Sequence, residues 1–339
     1  LRIEAEAAGA SLRLTREITL TEGQPGTIDL TTWLAGVGPA VLFATLVART
    51  AGRITGLDWT TGQPPLRHPR LMLCMTTFRR EEAAAASALR LDACMAGHAL
   101  AEAIHLVVVD NGRSLALPDL AHVTLIGNRN LGGSGGFARG LAHAVEQGFT
   151  HGLFMDDDAW VDWASIVRTW TFLAYVTEPA VAVAGLLTRG DAPTVVWENG
   201  ALFRGNCGSL FKDMSLLDSD GLAAVETSTG RAALPNVYGA FWFFAFPIAA
   251  VRHWPFPFFV RGDDINFSIV NPFRILTLPG VISYQAQDFS DKDTPLAQYL
   301  SLRCDLLQVL LLDHMPYRFR WALWVPASFF MRMLVLVRI

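Results

Sequence analysis

An alternation of buried strands with alanine-rich helices begins near residue 70 and constrains the fold of this chain more than any other feature. Apolar runs indicate strands at 70–77, 104–109 and 153–155, and helical patterns lie between them at 81–95 and 136–147. Strands that alternate with helices form βαβ units, in which neighbouring strands run parallel. The chain is therefore predicted to be an α/β protein with a mostly parallel, twisted sheet flanked by helices.

Polar residues follow each of the predicted strands. Thr77–Arg80 come after the first strand, Asp110–Gly112 after the second, and Asp156–Asp158 after the third. Ligands of such sheets bind beyond the carboxyl ends of the strands. The three segments are therefore expected to converge on one crevice.

The part of the chain before this core has a different pattern. Residues 1–66 contain short alternating runs, such as 11–15 and 52–59, and they end at the Gly/Pro-containing linker 62–65. Alternation over a few residues between turn signals is typical of strands. The N-terminal part is therefore predicted to be a small β domain, similar to a sandwich or barrel.

The α/β domain is predicted to span residues 67–315, and a hydrophobic segment follows it at 316–339. This segment is almost entirely apolar but is interrupted by Pro326, Arg332 and Arg338. An interrupted apolar run predicts a helix packed on the core, with contact to a membrane surface as the alternative.

Composition excludes several classes of protein. Hydrophobic residues make up 52% of the chain and charged residues 17%, which excludes an intrinsically disordered protein. A formal net charge of −4 leaves no basic excess for binding nucleic acid through its phosphates. The 4 cysteines have no zinc-binding spacing and no secretory signal is visible, so a cytoplasmic location is expected.

Three adjacent carboxylates, Asp156, Asp157 and Asp158, come directly after a predicted strand. Their mutual repulsion requires a positive partner, and Mg²⁺ or Mn²⁺ binds carboxylate and phosphate oxygens together. The structural alternative is a solvated acidic turn that merely ends the strand.

A glycine-rich segment, Asn130–Gly136, opens the helix that precedes the acidic strand. Glycine allows the backbone to approach a ligand closely, and the N–H groups at a helix start favour a phosphate. The alternative is a flexible turn at a helix start, because the segment lacks the lysine of a P-loop.

A second pair of carboxylates, Asp263 and Asp264, follows the aromatic stretch 254–259. An aspartate within hydrogen-bond reach of a hydroxyl can act as a general base, whereas an exposed acidic turn is the structural alternative. The apolar run 241–244 is predicted to be core, with one ring available to stack on a sugar.

These motifs, in this order, resemble the family 2 glycosyltransferases, and within them the galactofuranosyltransferases that build actinobacterial cell-wall galactan. The resemblance runs from about residue 67 to 315. It depends on the segments Thr77–Arg80, Asp110–Asn111, Asn130–Gly136, Phe154–Asp158, Phe241–Trp242, Asp263–Asp264 and Ser290–Asp293. It implies a GT-A fold and an inverting transfer of a sugar, with galactofuranose favoured, from a UDP-sugar to a growing cell-surface glycan.

The resemblance also implies roles for individual residues. Asp264 is implied as the catalytic base, with Asp263 orienting a sugar beside it, and Trp242 lines the acceptor groove. Binding of the nucleotide sugar is implied for Arg80, Asp110, Asn130, Gly132, Gly133, Asp156 and Asp157. Binding of Mn²⁺ or Mg²⁺ is implied for Asp156, Asp158 and Gln285.

Three positions depart from the family pattern. Gln285 stands where the family has a metal-binding histidine, and an amide oxygen is a weaker ligand. Arg79 replaces the commoner asparagine of its motif, and Phe241 replaces the first residue of a tryptophan pair. These departures leave the metal and the donor sugar open.

The expected partners are a nucleotide-sugar donor and a glycan or lipid-linked glycan acceptor. A homo-oligomer and a peripheral contact with the inner face of the cell membrane are further expectations. Two other interpretations stay open: a transferase of the same fold that uses another nucleotide sugar, such as dTDP-rhamnose, and a non-catalytic glycan-binding protein. A nucleotidyltransferase is disfavoured, because residues 77–81 are not a glycine-rich loop.

Overall fold

We describe the fold from a computed structural model. It describes residues 2–7, 10–15, 19–21, 23–37, 40–228, 234–285, 295–313 and 318–336. The chain divides into two compact units, of which the first comprises Leu1–Pro65 with Ser215–Ala232 and the second Leu66–Met214 with Ala233–Ile339. The sequence-based division at residues 66 and 315 stays a prediction.

The first unit contains an antiparallel sheet in which β1 (Arg2–Ala7) pairs with both β2 (Ala10–Thr15) and β3 (Val41–Thr45). Two helices also belong to this unit, α1 (Thr31–Leu34) and α5 (Ser219–Glu226). Residues 52–59 were predicted to be a strand, and this was wrong. All of them are exposed, and an alternating pattern forms a strand only when one of its faces is buried and a neighbour supplies hydrogen bonds.

The second unit is built on a mixed sheet that includes nine strands of the described residues. Its order is β6-β5-β4-β7-β14-β9-β15-β8, with β10 paired to β9. The strands are β4 (Leu71–Thr77), β5 (Ile104–Asp110), β6 (Val123–Gly127), β7 (His151–Asp156), β8 (Ala159–Val161), β9 (Val181–Arg189), β10 (Ala192–Glu198), β14 (Phe244–Pro247) and β15 (Arg274–Gln285). A small separate sheet contains β11 (Ala201–Phe203), β12 (Cys207–Ser209) and β13 (Val237–Tyr238).

The prediction of a mostly parallel sheet is confirmed for one side of the sheet only. β6, β5, β4 and β7 are parallel neighbours, as the βαβ alternation requires. β14 instead runs antiparallel between β7 and β9, and β8 and β10 are also antiparallel to their partners. The sheet is therefore mixed, because a short apolar run such as β14 indicates burial but carries no signal for the direction of the strand.

The second unit also contains six helices in its described part, of which α2, α3 and α4 pack on the sheet. They are α2 (Glu81–Met95), α3 (Gly132–Glu146), α4 (Trp163–Tyr175), α6 (Asp263–Val270), α7 (Pro295–Leu311) and α8 (Arg318–Leu336), with a 3-10 helix at Ile248–Ala250. The prediction of a helix at 81–95 is confirmed at both ends. None of the helices within the described ranges is long and apolar enough to cross a membrane.

Glycines bring α3 into close contact with β4. A Cβ atom added at Gly136 would lie 2.2 Å from Thr76 Cγ2, and one added at Gly140 would lie 2.2 Å from Cys74 Sγ. These distances are shorter than any van der Waals contact, so the two positions require glycine for helix–sheet packing. Part of the glycine-rich segment therefore serves packing, not the approach of a ligand as the sequence suggested.

A group of phenylalanine rings joins the segments that carry the candidate functional residues. Phe154 of β7 lies 4.7 Å from Phe137 of α3 and 5.7 Å from Phe267 of α6, measured between ring centroids. Phe241 and Phe246 contact the same ring at 4.9 and 4.8 Å. Each fully buried ring contributes roughly 1.5–3 kcal/mol of hydrophobic stabilisation, so this cluster holds β7, α3 and α6 together.

Candidate functional site

The acidic run begins at the last residue of β7, beside the end of β4. The Thr77 hydroxyl donates to Asp157 Oδ2 at 2.7 Å. Arg80 Nη1 lies 3.3 Å from Asp157 Oδ1 and 2.6 Å from Asp158 Oδ2. β4 and β7 are parallel neighbours, with Thr76 opposite Asp156, so their polar ends meet as the sequence predicts.

Arg80 supplies part of the positive charge that the acidic run requires. Its hydrogen bond to Asp158 raises the pKa of the guanidinium group. Burial raises the pKa of Asp157, while the Thr77 hydroxyl and Arg80 act in the opposite direction. Arg80 thus places one positive charge beside the acidic run. A divalent cation is a second kind of positive charge that carboxylate oxygens can hold.

Gln285, a predicted metal ligand, lies on the strand that pairs with the segment directly after the acidic run. It is the last residue of β15 and lies opposite Ala159, the neighbour of Asp158. The side chain is 3% exposed, and its Oε1 atom accepts no hydrogen bond from the described residues. A buried oxygen without a donor costs free energy, and a cation would remove this cost.

Asp156, Asp158 and Gln285, the predicted metal ligands, offer only oxygen atoms, which is typical of sites for Mg²⁺ or Mn²⁺. In the described part of the chain, no group of three or more His, Cys, Asp and Glu side chains is placed to hold a metal ion. The donor chemistry of the three predicted residues fits a hard cation, and their role as ligands stays a prediction.

Asp110, at the end of β5, shapes its own loop. Its carboxylate accepts hydrogen bonds from the N–H groups of Gly112 at 2.8 Å, Ser114 at 2.6 Å and Leu115 at 2.7 Å. The residue is 2% exposed. Three backbone donors to one carboxylate fix the loop that follows β5, and contact of Asp110 with a nucleotide base stays a prediction.

The glycine-rich segment is held between the end of β5 and the loop before α6. Asn111 Nδ2 donates to the Gly132 carbonyl at 3.0 Å, and Asn130 Oδ1 accepts the Gly132 N–H at 3.0 Å. Gly132 has a φ of 72°, and a Cβ atom there would lie 1.9 Å from the Phe259 carbonyl oxygen. Only glycine is compatible with both conditions.

Asp263 and Asp264 form the first turn of α6 and lie against the start of α3. A Cβ atom on Gly133 would be 3.5 Å from Asp263 Oδ2, so this carboxylate lies beside the positive end of the α3 dipole. Asp264 Oδ1 accepts the N–H of Ile265 at 2.9 Å. The acidic pair and the glycine-rich segment, more than a hundred residues apart in sequence, therefore belong to one site.

The aspartate pair is electrostatically perturbed. Asp263 is 7% exposed, whereas Asp264 keeps a partly exposed surface. Burial raises the pKa of both carboxyl groups, and the neighbouring charge of Asp264 raises the pKa of Asp263 further. A carboxylate with a raised pKa is a stronger base than an ordinary aspartate, which suits proton transfer near neutral pH.

A third carboxyl group, that of Glu198, lies near Asp263 and Asp264 and was not predicted from the sequence. This residue ends β10, is 4% exposed and accepts a hydrogen bond from Ser209 Oγ at 2.8 Å. Burial raises the pKa of Glu198 to about 8, and the charge of Asp264 contributes to the shift. No motif surrounds Glu198, so only the folded chain reveals its position near the aspartate pair.

Two further predicted segments, Trp242 and the motif Ser290–Asp293, have not been shown to belong to the site. Trp242 is half-buried and packs against two hydrophobic clusters, while Phe241 and Phe243 are buried in the core. Its place in an acceptor groove stays a prediction. The motif Ser290–Asp293 lies outside the described residues.

Two curated proteins are similar to this chain in sequence. No protein-family model matches the chain. The galactofuranosyltransferase GlfT1 of Mycobacterium tuberculosis, in strains CDC 1551 / Oshkosh and ATCC 25618 / H37Rv, is 30% identical over 177 residues, which is 48% of this chain and 53% of the relative. The chain thus spans about half the length of the curated relatives it matches.

Two solved structures align with larger parts of the chain at lower identity. The mannosyltransferase PcManGT from Pyrobaculum calidifontis, in complex with GDP-Man and Mn²⁺, is 14% identical, and the alignment covers 80% of this chain and 73% of that one with a TM-score of 0.47. For S. aureus TarS the identity is 13%, the coverage 75% and 69%, and the TM-score 0.43. At these scores neither structure supports an assignment of a ligand to this chain.

Replacement of Glu198 by Gln is expected to stabilise the protein in a pH-dependent manner. The pKa in the folded state, about 8, is above the value of roughly 4.3 in the unfolded state, so the contribution of Glu198 to stability falls as pH rises through this window. Glutamine mimics the protonated form. Near pH 7 the variant should therefore gain roughly 2–4 kcal/mol in free energy of unfolding, measured by urea titration, and near pH 4 almost nothing.

The matched control for this experiment is Glu102→Gln, which changes an exposed glutamate. It should leave the stability unchanged at both pH values. If the free energy of unfolding changed with pH in the same way for the Glu198 variant and the wild type, burial would not raise the pKa of Glu198.

Proposed function

We propose that this chain is a glycosyltransferase of family 2 with a GT-A-like fold. It transfers a sugar, with galactofuranose favoured, from a UDP-sugar to a growing cell-surface glycan with inversion. The observation that carries the proposal is that the buried Asp263 lies against Gly133 of the glycine-rich segment. The acidic run, with Arg80, begins opposite Thr76, the residue of β4 on which Gly136 of the same segment packs. The similarity to a galactofuranosyltransferase over 177 residues supports sugar transfer.

The donor side of the proposed site is the crevice at the ends of β4, β5 and β7. Arg80 and Asp157 bind the nucleotide, and Asn130 holds the glycine-rich turn from which backbone N–H groups reach the diphosphate. Asp156, Asp158 and Gln285 would hold Mn²⁺ or Mg²⁺, which would supply Lewis-acid stabilisation of the departing diphosphate.

Asp264 is the proton acceptor in this proposal. In a single displacement, the acceptor oxygen forms a bond to the anomeric carbon, the bond from that carbon to the diphosphate oxygen breaks, and the acceptor hydroxyl gives its proton to the carboxylate. Asp264 is the less deeply buried residue of the pair, and in this proposal it meets the acceptor hydroxyl while Asp263 orients a sugar beside it.

The variant Asp264→Asn tests the proton acceptor. Transfer from UDP-galactofuranose should fall about 10²–10⁴-fold, because the amide cannot accept the proton, while calorimetric binding of UDP should be unchanged. Wild-type turnover should fall toward acid, with the fall centred above the ordinary aspartate pKa of about 3.9, because burial raises this pKa.

The control is Asp220→Asn, which makes the same change at an exposed aspartate in the first turn of α5. It should leave turnover unaffected. Equal turnover of the Asp264 variant and the wild type would remove this residue from the mechanism.

Calorimetric titration with UDP in the presence and absence of Mn²⁺ tests the donor site. Binding should be stronger with the metal, and Asp158→Asn should lose the metal-dependent part of the affinity, because it removes one of the proposed ligands. Binding of dTDP-rhamnose in place of UDP-sugars would change the assigned donor. Failure to bind any nucleotide sugar, together with binding to polysaccharide, would favour a glycan-binding protein.

A peripheral membrane contact through α8 is the second part of the proposal. Large apolar side chains on one side of this helix are exposed: Phe319, Leu323, Trp324, Phe330, Met331 and Leu334. Arg318 pairs with Asp313. Residues 319–339 add three arginines and no acidic residue, a charge that complements anionic lipids. An apolar helix face with aromatic and basic residues is typical of helices that lie in a membrane interface.

Replacing Phe319, Leu323 and Phe330 by Ser should weaken sedimentation with anionic vesicles, because each change removes apolar surface from the proposed contact. The matched control replaces Leu89 and Val145, which are exposed on other helices, by Ser. Equal sedimentation of the triple variant and the wild type would contradict the membrane contact, and a change from dimer to monomer would assign the face to a second copy.

A further inference from the structure

The turn that carries the aspartate pair is held from behind by α7. Arg303 Nη1 donates to the Phe258 carbonyl at 2.5 Å, and Arg261 Nη1 donates to Ser301 Oγ at 2.5 Å. Cys304 Sγ lies 2.3 Å from the position that a Cβ atom on Gly262 would take. The loop before α6 is therefore packed against one face of α7.

Gln308 makes the central contact between α7 and this turn. Its side chain is fully buried; Nε2 donates to the Gly262 carbonyl at 2.5 Å, and Oε1 accepts a hydrogen bond from Asn266 Nδ2 at 3.1 Å. The orientation of the amide follows from its partners, because the Gly262 carbonyl can only accept. Gln308 thus bridges the residue before the aspartate pair and a residue one turn after it.

The Gly262 carbonyl determines the direction of the first turn of α6. Gly262 has a φ of 89°, and its carbonyl also accepts the N–H of Asn266 at 3.0 Å. This carbonyl lies in the same peptide plane as the N–H of Asp263. A partner that fixes the carbonyl therefore fixes the peptide from which Asp263 and Asp264 project.

We propose that Gln308 is a positioning residue, which aims the Asp264 carboxylate by holding the Gly262 carbonyl. The inference rests on the proposed function, since Asp264 is taken as the proton acceptor. Gln308 does not approach the reacting atoms itself in this role. A displacement of about 1 Å in a catalytic group costs up to about 10²-fold in rate, so a hydrogen bond to the backbone of this turn is enough to affect turnover.

The variant Gln308→Met separates positioning from packing. Methionine keeps the length and unbranched shape of the side chain but makes neither hydrogen bond. We expect kcat to fall about 10–100-fold, while the calorimetric dissociation constant of UDP stays within about twofold. The control Gln147→Met makes the same change at an exposed residue that directly follows α3 and should leave both values unchanged.

A double-mutant cycle distinguishes positioning from a general structural effect. If Gln308 acts through Asp264, adding Gln308→Met to Asp264→Asn should leave the residual rate within about twofold, because residues that act as a unit are not additive. An equal fold-loss in both backgrounds would overturn the proposal.

Amide hydrogen exchange provides a readout that does not depend on activity. The N–H of Asn266, which donates to the Gly262 carbonyl, should exchange roughly tenfold faster in Gln308→Met, with no change at amides of β4. Unchanged exchange at Asn266 would overturn the positioning role. A wild-type protein without any transferase activity would instead overturn the proposed function, and the exchange comparison would still decide whether Gln308 holds the turn.

Discussion

Burial of the phenylalanine cluster around Phe154 is the interaction on which the candidate site depends. Phe154 lies two residues before the acidic run, Phe137 belongs to the helix opened by the glycine-rich segment, and Phe267 to the helix that begins with the aspartate pair. Because these rings pack on one another, three segments distant in sequence are brought together by hydrophobic burial. This packing holds the acidic run and the aspartate pair in place despite the repulsion between neighbouring carboxylates.

Charge balance is the second constraint on this site. Arg80 offsets part of the charge of the acidic run, and the Thr77 hydroxyl donates a hydrogen bond to Asp157. The buried Gln285 oxygen accepts no hydrogen bond from the described residues. Around Asp264, burial raises the pKa values of Glu198, Asp263 and Asp264, and backbone hydrogen bonds to the two aspartates oppose this shift only in part. One end of the site is thus suited to phosphate and a cation, and the other to accepting a proton.

Several features were accessible from sequence because they depend on local pattern. The helix at 81–95 was predicted to the residue, and the parallel arrangement of β4, β5 and β7 follows from βαβ alternation. The antiparallel β14 was not predicted, because a four-residue apolar run has no directional signal. Glu198 and Gln308 were not predicted for a related reason. Their hydrogen-bond partners lie elsewhere in the sequence, and neither residue belongs to a motif.

The ends of the strands and the polar groups that follow them can be predicted from the sequence, because hydrophobic periodicity and glycine placement are local properties. The contacts of those groups depend on the folded chain. Folding placed Asp110 on its own loop, Arg80 on the acidic run, and the carbonyl of Gly262 on Gln308. The physical reason is that hydrogen bonds and ion pairs between distant segments depend on distances of a few tenths of an ångström, which are set by core packing and are absent from any sequence pattern.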